Sequence, residues 1–392
     1  MKKVLSIILA LALVFVLAAC GGDAPESSPA PGGASSDPAS SPASSPASSP
    51  ASSPASSPAA PAPGGADPAP AGGGNDLPWN PDNIGSHKFI LAHGMAPENV
   101  VSKCYHAFCE YVAELSEGKI TIEEKIGGTL VNDLQTFDAL RDGTVDFIHS
   151  MGSYVSSTIT ELSPLTIAGY YGGDDWLDFA FGTKDLVETI YADYNIKFLG
   201  GLYQGTSVFA CSKMQIKQPG DVRGLAWRAS GDWVIKTVEA WGGAATNIAL
   251  PNLADAFQKG TVEGVTTGWT IVGGWGIYEV AKYLTTSDIC EGFAALLMNG
   301  DSWKSLNADE QALVAYAGDM FVRNNFELTK VECQNYFDKV VAEGGNEIYT
   351  LTAAENKTFI DIAYGLYPEM ANGLGPKGNQ LIDLLRQYNG MA

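Results

Sequence analysis

The sequence predicts an α/β protein of two lobes with a ligand cleft between them. Strand and helix patterns alternate over residues 87–151, and a second such block covers residues 197–270. A long stretch, residues 301–345, then has helical spacing throughout. Residues 76–392 are rich in Trp, Tyr and Phe and numerous enough for two lobes or domains.

The first residues, MKKVLSIILALALVFVLAAC, predict a bacterial lipoprotein signal peptide over residues 1–19. The apolar run that begins at Val4 is shorter than the roughly 20 residues that a spanning helix needs. Small residues before Cys20 resemble a lipobox, so Cys20 would be the lipidated first residue of the mature chain. The alternative is an uncleaved membrane anchor. Both interpretations place the rest of the chain outside the cytoplasmic membrane.

Residues 20–75 predict a disordered linker. They consist almost entirely of Gly, Ala, Pro and Ser, with Ser-Ser-Pro-Ala repeats over residues 40–59, and cannot bury a core. Proline at every fourth position favours an extended polyproline II tether, which would hold the folded part away from the membrane. A Pro-rich recognition segment is the alternative.

The first block predicts three strands joined by two helices. The strands cover residues 87–93, 120–128 and 145–151, and the helices cover residues 100–119 and 130–144. Gly118 and Gly143 are expected to end the two helices. A strand, helix, strand, helix, strand order implies a parallel sheet with helices packed on its faces.

The second block predicts further strands and helices, followed by the long helix. The strands cover residues 197–205, 207–213, 225–230, 245–250 and 265–270; the helices run through Trp233 to Trp241 and over residues 251–264, where Gly260 ends the helix. Asn307 is expected to cap the long helix. In open α/β sheets, ligands bind at the carboxyl ends of strands.

Charge and motifs exclude several function classes. The net charge of −21 argues against nucleic acid or an anionic membrane surface as a partner. The chain contains no H-E-x-x-H, no G-x-S-x-G, no P-loop and no G-x-G-x-x-G after a strand, so we expect no cofactor, no metal and no catalytic site. The glycine-rich segments at 171–175 and 273–276 are interpreted as loops. A secreted hydrolase with paired carboxylates stays open as a minor alternative.

The cysteines do not suggest a metal site or an obvious disulfide. Cys104 and Cys109 lie five residues apart on one predicted helix, which is poor geometry for a bridge. With Cys211, Cys290 and Cys333 they form an odd set without C-x-x-C spacing. Buried free thiols are the simplest interpretation.

The order of several motifs resembles the solute-binding proteins of TRAP transporters, which are tripartite, ATP-independent, ion-gradient-driven importers. The motifs are FILAHGMAPENVV, LQTFDALRDGTVDFIHSM, KMQIKQPGDVRGLAWRAS, ALPNLADAFQKGTVEGVTTG and DSWKSLNADEQ, and they extend over residues 86–345. The resemblance implies a two-lobed periplasmic-binding-protein fold that closes by a hinge motion and has a long helix crossing both lobes. Lobe one would comprise residues 82–205 and 293–332, and lobe two residues 206–292 and 333–392.

The resemblance also implies a function without chemistry. The protein would capture an organic acid outside the cell membrane and deliver this carboxylate to the small and large permease subunits of a TRAP transporter. The alternative within binding proteins is the lipoprotein receptor of an ATP-driven (ABC) importer.

By this resemblance, Arg228 would clamp the substrate carboxylate, a task that suits the planar fork of a guanidinium. A salt bridge between Arg228 and Asp232 is the structural alternative. Thr267 stands where many members of the family have an asparagine that touches the ligand, and Ser207 stands where some have a second arginine. The absence of that second cation favours a monocarboxylate with an apolar or aromatic body.

Further lining positions are implied more loosely. Leu250 matches an apolar or aromatic contact, His149, Ser150, Met151 and Tyr154 match a ligand-facing strand end and loop, and His93 closes the first strand. Trp233 and Trp269 flank the region of Arg228 and could stack on a ring, with core packing as the alternative. For His93 and His149 the alternative is a structural role.

Overall fold

The computed structural model describes residues 77–167, 176–289 and 292–388 of the chain. The described residues form one compact unit. The strands in the described ranges are β1 (His87–Ala92), β2 (Ile120–Lys125), β3 (Phe147–Met151), β4 (Ile196–Leu202), β5 (Ser207–Cys211), β6 (Ala226–Ala229), β7 (Ala244–Asn247), β8 (Gly264–Gly268), β9 (Tyr283–Ser287), β10 (Ala294–Asn299) and β11 (Glu347–Thr350).

The helices in the same ranges are α1 (Val100–Leu115), α2 (Thr136–Arg141), α3 (Gly152–Val155), α4 (Trp176–Ala192), α5 (Asp232–Trp241), α6 (Leu253–Gln258), α7 (Trp269–Gly274), α8 (Ile277–Val280), α9 (Gly300–Lys304), α10 (Ala308–Glu343), α11 (Ala353–Tyr364), α12 (Tyr367–Ala371) and α13 (Pro376–Tyr388). Short 3-10 helices occupy Pro81–Asn83, Thr160–Thr166, Pro219–Val222 and Leu250–Asn252. None of the helices in the described ranges combines the length and apolar character that crossing a membrane requires.

The first lobe is built on a five-stranded sheet with the order β2-β1-β3-β10-β4. β1 is parallel to both β2 and β3, so the parallel arrangement predicted for the first block is confirmed. β10 comes from much later in the chain and lies antiparallel between β3 and β4. All six residues of β10 are buried, as expected for a central strand covered on both faces.

The second lobe is built on a six-stranded sheet with the order β11-β9-β5-β8-β6-β7. β6 is parallel to β7 and β8, whereas β5 is antiparallel to β8 and β9. The parallel strands bring their carboxyl ends to one edge of the sheet. This edge faces the first lobe across the cleft, and it carries the end of β6.

The long helix α10 packs on α1 and β4 of the first lobe and on α7 of the second lobe. It begins after Asn307, whose side chain accepts hydrogen bonds from the main-chain N–H groups of Asp309 and Glu310 and so forms the predicted cap. The helical pattern from residue 301 is not continuous, because the cap at Asn307 separates the short helix α9 from α10. The predicted fold, two lobes with a long connecting helix, is confirmed.

The C-terminal helix α13 packs on the 160–166 segment and on α4, both in the first lobe. The expected lobe boundaries assigned residues 333–392 to the second lobe. The apolar face of α13, with Leu381, Ile382 and Leu385, is buried, and this face holds the end of the chain on the first lobe.

Three local predictions need correction. The helix predicted over residues 130–144 begins only at Thr136, and residues 130–135 form a loop in front of it. Residues 273 and 274, interpreted as loop, belong to α7, and Trp269 begins this helix instead of continuing a strand.

Within the described ranges, Cys104, Cys109, Cys211 and Cys333 are buried free thiols, as predicted. Burial raises the pKa of Cys104 to about 12, which keeps this thiol protonated. The signal peptide, the linker with Cys20, the 171–175 segment and Cys290 lie outside the described residues.

Candidate ligand-binding cleft

Two adjoining cavities, of about 770 and about 90 Å³, lie between the lobes where strands of both sheets end. The first lobe contributes residues that follow β1 and β3, and the second lobe contributes the ends of β6 and β8. The residues that line both cavities are Met95, Ser153, Tyr154, Arg228, Ser230 and Leu250. A volume of this size fits a small organic molecule.

Arg228 lies at the junction of the two cavities, one residue before the end of β6. Its Nε donates a hydrogen bond to the carbonyl oxygen of Ile248 at 3.0 Å, which fixes the orientation of the guanidinium. Within the described ranges, Arg228 is the only Lys or Arg that lines either cavity. The structure therefore places a positive charge at the centre of the cleft.

Five other residues expected at the site also line the cavities. Thr267 and Ser207 line the smaller cavity from the neighbouring strands β8 and β5. Met151, at the end of β3, lines the same cavity, and Tyr154 and Leu250 line both. Residues from four separate segments thus converge around Arg228.

The two histidines and Ser150 do not reach the cavities. His93 is 0% exposed and His149 is 2% exposed, and the Tyr105 ring lies between them with centroid distances of 5.2 and 5.7 Å. His149 precedes Met151 by two residues, so it lies on the same face of β3 but deeper in the core. Burial lowers the pKa of both histidines to about 4. Ser150 is buried opposite Ala295 of β10.

The two tryptophans also lie away from the cavities. Trp269 is 2% exposed and packs edge-on against Phe337, with ring centroids 5.4 Å apart. Trp233 is half-buried, and the Nζ of Lys236 lies over its ring, 4.2 Å from the ring centroid. Both rings take the packing role that was the alternative to ligand stacking.

Sequence reasoning missed two buried hydrogen-bonding groups of the smaller cavity. Gln204 and Ser153 both line it, and the buried Gln204 Nε2 and Ser153 Oγ atoms have no hydrogen-bond partner among the described residues. Such atoms are costly unless something pairs with them. Gln204 lies in the short segment where the chain crosses from β4 to β5; the sequence predicts strand through residue 205, but β4 ends at Leu202.

Sequence reasoning also missed Asp133, which lines the larger cavity from the loop in front of α2. Its Oδ1 accepts a hydrogen bond from the main-chain N–H of Gly94 at 2.6 Å. Burial raises the pKa of this carboxyl group, while the bond from Gly94 opposes the rise. The helix predicted over residues 130–144 concealed this residue, because an Asp in a helix of mixed pattern is ordinarily solvated.

The two lobes touch beside the cleft. A Cβ atom added at Gly231, directly before α5, would lie 3.0 Å from the Cβ of Ser153 in α3. Gly231 also has a φ of 92°, a conformation that favours glycine. The close approach therefore closes one side of the cleft.

A two-lobed α/β fold with a cation-bearing cleft at its strand ends defines a solute receptor. The chain matches the family model for bacterial extracellular solute-binding proteins, family 7 (DctP), over residues 91–373, and it belongs to this family. The resemblance to TRAP solute-binding proteins is thereby confirmed, and the ABC receptor is not favoured.

Named relatives and solved structures agree with this assignment. An uncharacterized protein, y4mM of Sinorhizobium fredii, is 26% identical over 230 residues, 58% of this chain and 42% of that protein. The chain thus spans less than half the length of that relative. The ectoine-binding periplasmic protein TeaA of Halomonas elongata is 20% identical over 305 residues, 76% of this chain and 89% of TeaA.

Among solved structures, a TRAP periplasmic solute-binding protein of Marinobacter aquaeolei in an apo open form has a TM-score of 0.71 at 18% identity, covering 76% of this chain and 99% of that one. One from Shewanella oneidensis with bound succinate has a TM-score of 0.69 at 18% identity, covering 78% and 99%. These similarities show the fold.

Proposed function

We propose that this protein captures a small organic acid outside the cell membrane and presents it to the small and large permease subunits of a TRAP transporter. The observation that carries the proposal is the position of Arg228 at the junction of the two cavities, with its Nε held by Ile248. A guanidinium presents N–H donors in a planar fork that matches a carboxylate and stays charged at any relevant pH.

The surroundings of Arg228 support a carboxylate ligand. The buried Gln204 Nε2 and Ser153 Oγ atoms can donate hydrogen bonds to an anion beside the guanidinium. The hydroxyl groups of Thr267 and Ser207 add two further donors on the second lobe. Exclusion of water from a closed cleft would strengthen the pair, although desolvation of both charges offsets part of this gain.

The apolar part of the lining supports a ligand with an apolar body. Side chains of this kind that face the smaller cavity are those of Met95, Met151, Val234, Leu250 and Ile271. Since Ser207 provides no second cation, one carboxylate fits the site better than two.

The names of similar proteins support small acids as the ligand class. TeaA is named an ectoine-binding protein, a Rhodobacter capsulatus relative is named a C4-dicarboxylate-binding protein, and two solved neighbours hold D-glucuronate and succinate. We propose that Cys20 carries the lipid anchor and that residues 20–75 form the tether. The bound acid would be released unchanged, because the proposed role of the cleft is binding alone.

A thermal-shift screen tests this function. A ligand that binds only the folded state stabilises it by about 2.7 kcal/mol at 100 times its dissociation constant. We expect some carboxylic acids to raise the melting temperature of the protein and Arg228→Gln to abolish the rise. Arg223→Gln is the matched control, because Arg223 is exposed outside both cavities and its loss changes the net charge equally.

Two results would contradict the proposal. An Arg228→Gln protein that responds to the acids as the wild type does would show that Arg228 does not hold the carboxylate. Release of product from esters or glycosides incubated with the purified protein would favour the hydrolase alternative over a receptor.

A further inference from the structure

Both lobes contribute charged side chains to the cleft. Asp133 of the first lobe and Asp232 of the second line the larger cavity together with Arg228. No other Lys or Arg of the described residues lines this cavity. Among the described residues, two carboxylates and one guanidinium therefore line this cavity.

Asp133 has an incomplete environment for a carboxylate. It is half-buried, it accepts one hydrogen bond, from the N–H of Gly94, and it forms no ion pair with any described residue. Burial raises the pKa of Asp133, while the N–H of Gly94 and the nearby His93 act to lower it, and burial keeps the His93 ring neutral near pH 7. A partly desolvated carboxylate without a cationic partner is unfavourable, and a cation bound beside it would relieve this.

Tyr154 links Asp133 and Arg228 in space. Its side chain lines both cavities. After burial, the charge of Asp133 contributes to raising the pKa of Tyr154, whereas the charge of Arg228 acts to lower it. Tyr154 therefore lies within electrostatic range of both groups, and all three side chains line the larger cavity.

We infer that the ligand is a zwitterionic amino acid or a related amino-carboxylate, with its carboxylate at Arg228 and its protonated amine at Asp133. This inference rests on the proposed function, because it takes Arg228 as the carboxylate-binding group. A dicarboxylate is disfavoured, since its second anionic group would lie in the cavity lined by Asp133 and Asp232. The apolar lining accommodates an aliphatic side chain.

Matched compounds that differ only in the amine test the inference. L-Leucine, 2-hydroxy-4-methylpentanoate and 4-methylpentanoate share one carboxylate and one aliphatic body. γ-Aminobutyrate and succinate compare an amine with a second carboxylate on a chain of four carbons. In calorimetric titration, we expect the purified wild-type protein to bind the compound with the amine at least about 30-fold more tightly than the other compounds of its set. This factor is the lower end of the affinity loss expected when one member of a buried charge pair is removed.

Asp133→Asn tests which side chain recognises the amine. Asparagine retains the oxygen that accepts from Gly94 and removes only the charge. We expect it to lose about 30-fold in affinity for the amino acid and to retain wild-type affinity for the acid without the amine. Asp138→Asn is the control, because Asp138 is exposed on α2 and lines neither cavity. An unchanged melting temperature of the unliganded variant shows that folding is intact.

The outcomes separate this inference from the proposed function. If the acids without an amine bind as tightly as the amino acids, or if Asp133→Asn weakens both classes equally, the inference is overturned while loss of binding in Arg228→Gln still supports the organic-acid receptor. If Arg228→Gln binds every compound as the wild type does, the proposed function fails and the inference fails with it. Absence of binding to the whole series also overturns the inference.

Discussion

Acidification should destabilise this protein through His93 and His149. The pKa of each ring is about 4 in the folded protein, against 6.5 for an unperturbed histidine. Between these pH values the unfolded chain binds protons that the folded protein does not, so the free energy of unfolding falls as the pH falls from 6.5 to 4. At 1.36 kcal/mol per pH unit, each histidine removes about 2 kcal/mol at pH 5 and about 3 kcal/mol near pH 4.

Urea denaturation at pH 7.5 and pH 5.0 measures this effect. We expect His93→Leu and His149→Leu each to remove about 2 kcal/mol of the stability difference between the two pH values. Both changes are suited to the core, because three buried ring nitrogens have no hydrogen-bond partner in the part of the chain that the structure describes. These are both nitrogens of His93 and the Nε2 of His149. The slope of the free energy of unfolding against urea concentration, compared with that of the wild type, shows whether the folded state of each variant remains compact.

His106 provides a control of opposite sign. It is exposed and its Nδ1 lies 2.7 Å from a carboxylate oxygen of Glu124, a hydrogen bond that raises its pKa. Its contribution to stability is therefore present below 6.5 and is lost as the pH rises through its folded pKa. His106→Gln should leave the loss of stability in acid unchanged or make it larger.

The reasoning is refuted if His93→Leu and His149→Leu both retain the wild-type stability difference. That result would mean that the two rings titrate as solvated groups. They would then belong to the wall of the cleft, as the family resemblance suggested, and not to the core around Tyr105.

Two further changes test local features of the fold. Asn307→Ala should lower the free energy of unfolding by about 1 kcal/mol, because the side chain caps α10 at Asp309 and Glu310; unchanged urea denaturation would contradict the cap. Gly264→Ala should lower it by about 1–3 kcal/mol, because the added Cβ would lie 2.0 Å from the buried ring of Trp227; an unaltered melting temperature would contradict this packing.

Features with local signals could be predicted from the sequence. The apolar spacing of α1, the alternation in β2 and the Asn307 cap each depend on residues within one or two turns of chain. The position of Arg228 at the end of a short strand after a turn was predicted from an equally local pattern. Its role as a ligand clamp came from the resemblance and stays a proposal.

Features that depend on distant partners could not be predicted. The β10 segment, AALLMN, is apolar on both faces, so its pattern shows neither its direction nor its place between β3 and β4. Gln204, whose Nε2 has no partner among the described residues, lies where the chain crosses between the lobes, and its place in the cleft depends on both sheets. Asp133 reaches the cavity only because α2 starts late and Gly94 holds its carboxylate.

The positions of Arg228 on the second lobe and Asp133 on the first bear on how a ligand would close the cleft. A ligand favours a closed form only to the extent that it binds that form more tightly than the open one. A carboxylate at Arg228 contacts the second lobe in both forms, and in the proposed complex its contact with the first lobe is the hydrogen bond from Ser153 Oγ. An amine paired with Asp133 adds a contact to the first lobe that forms only when the lobes meet, as they do where Gly231 approaches Ser153. In the proposed complex, the amine that selects the ligand therefore also adds to the coupling between binding and closure.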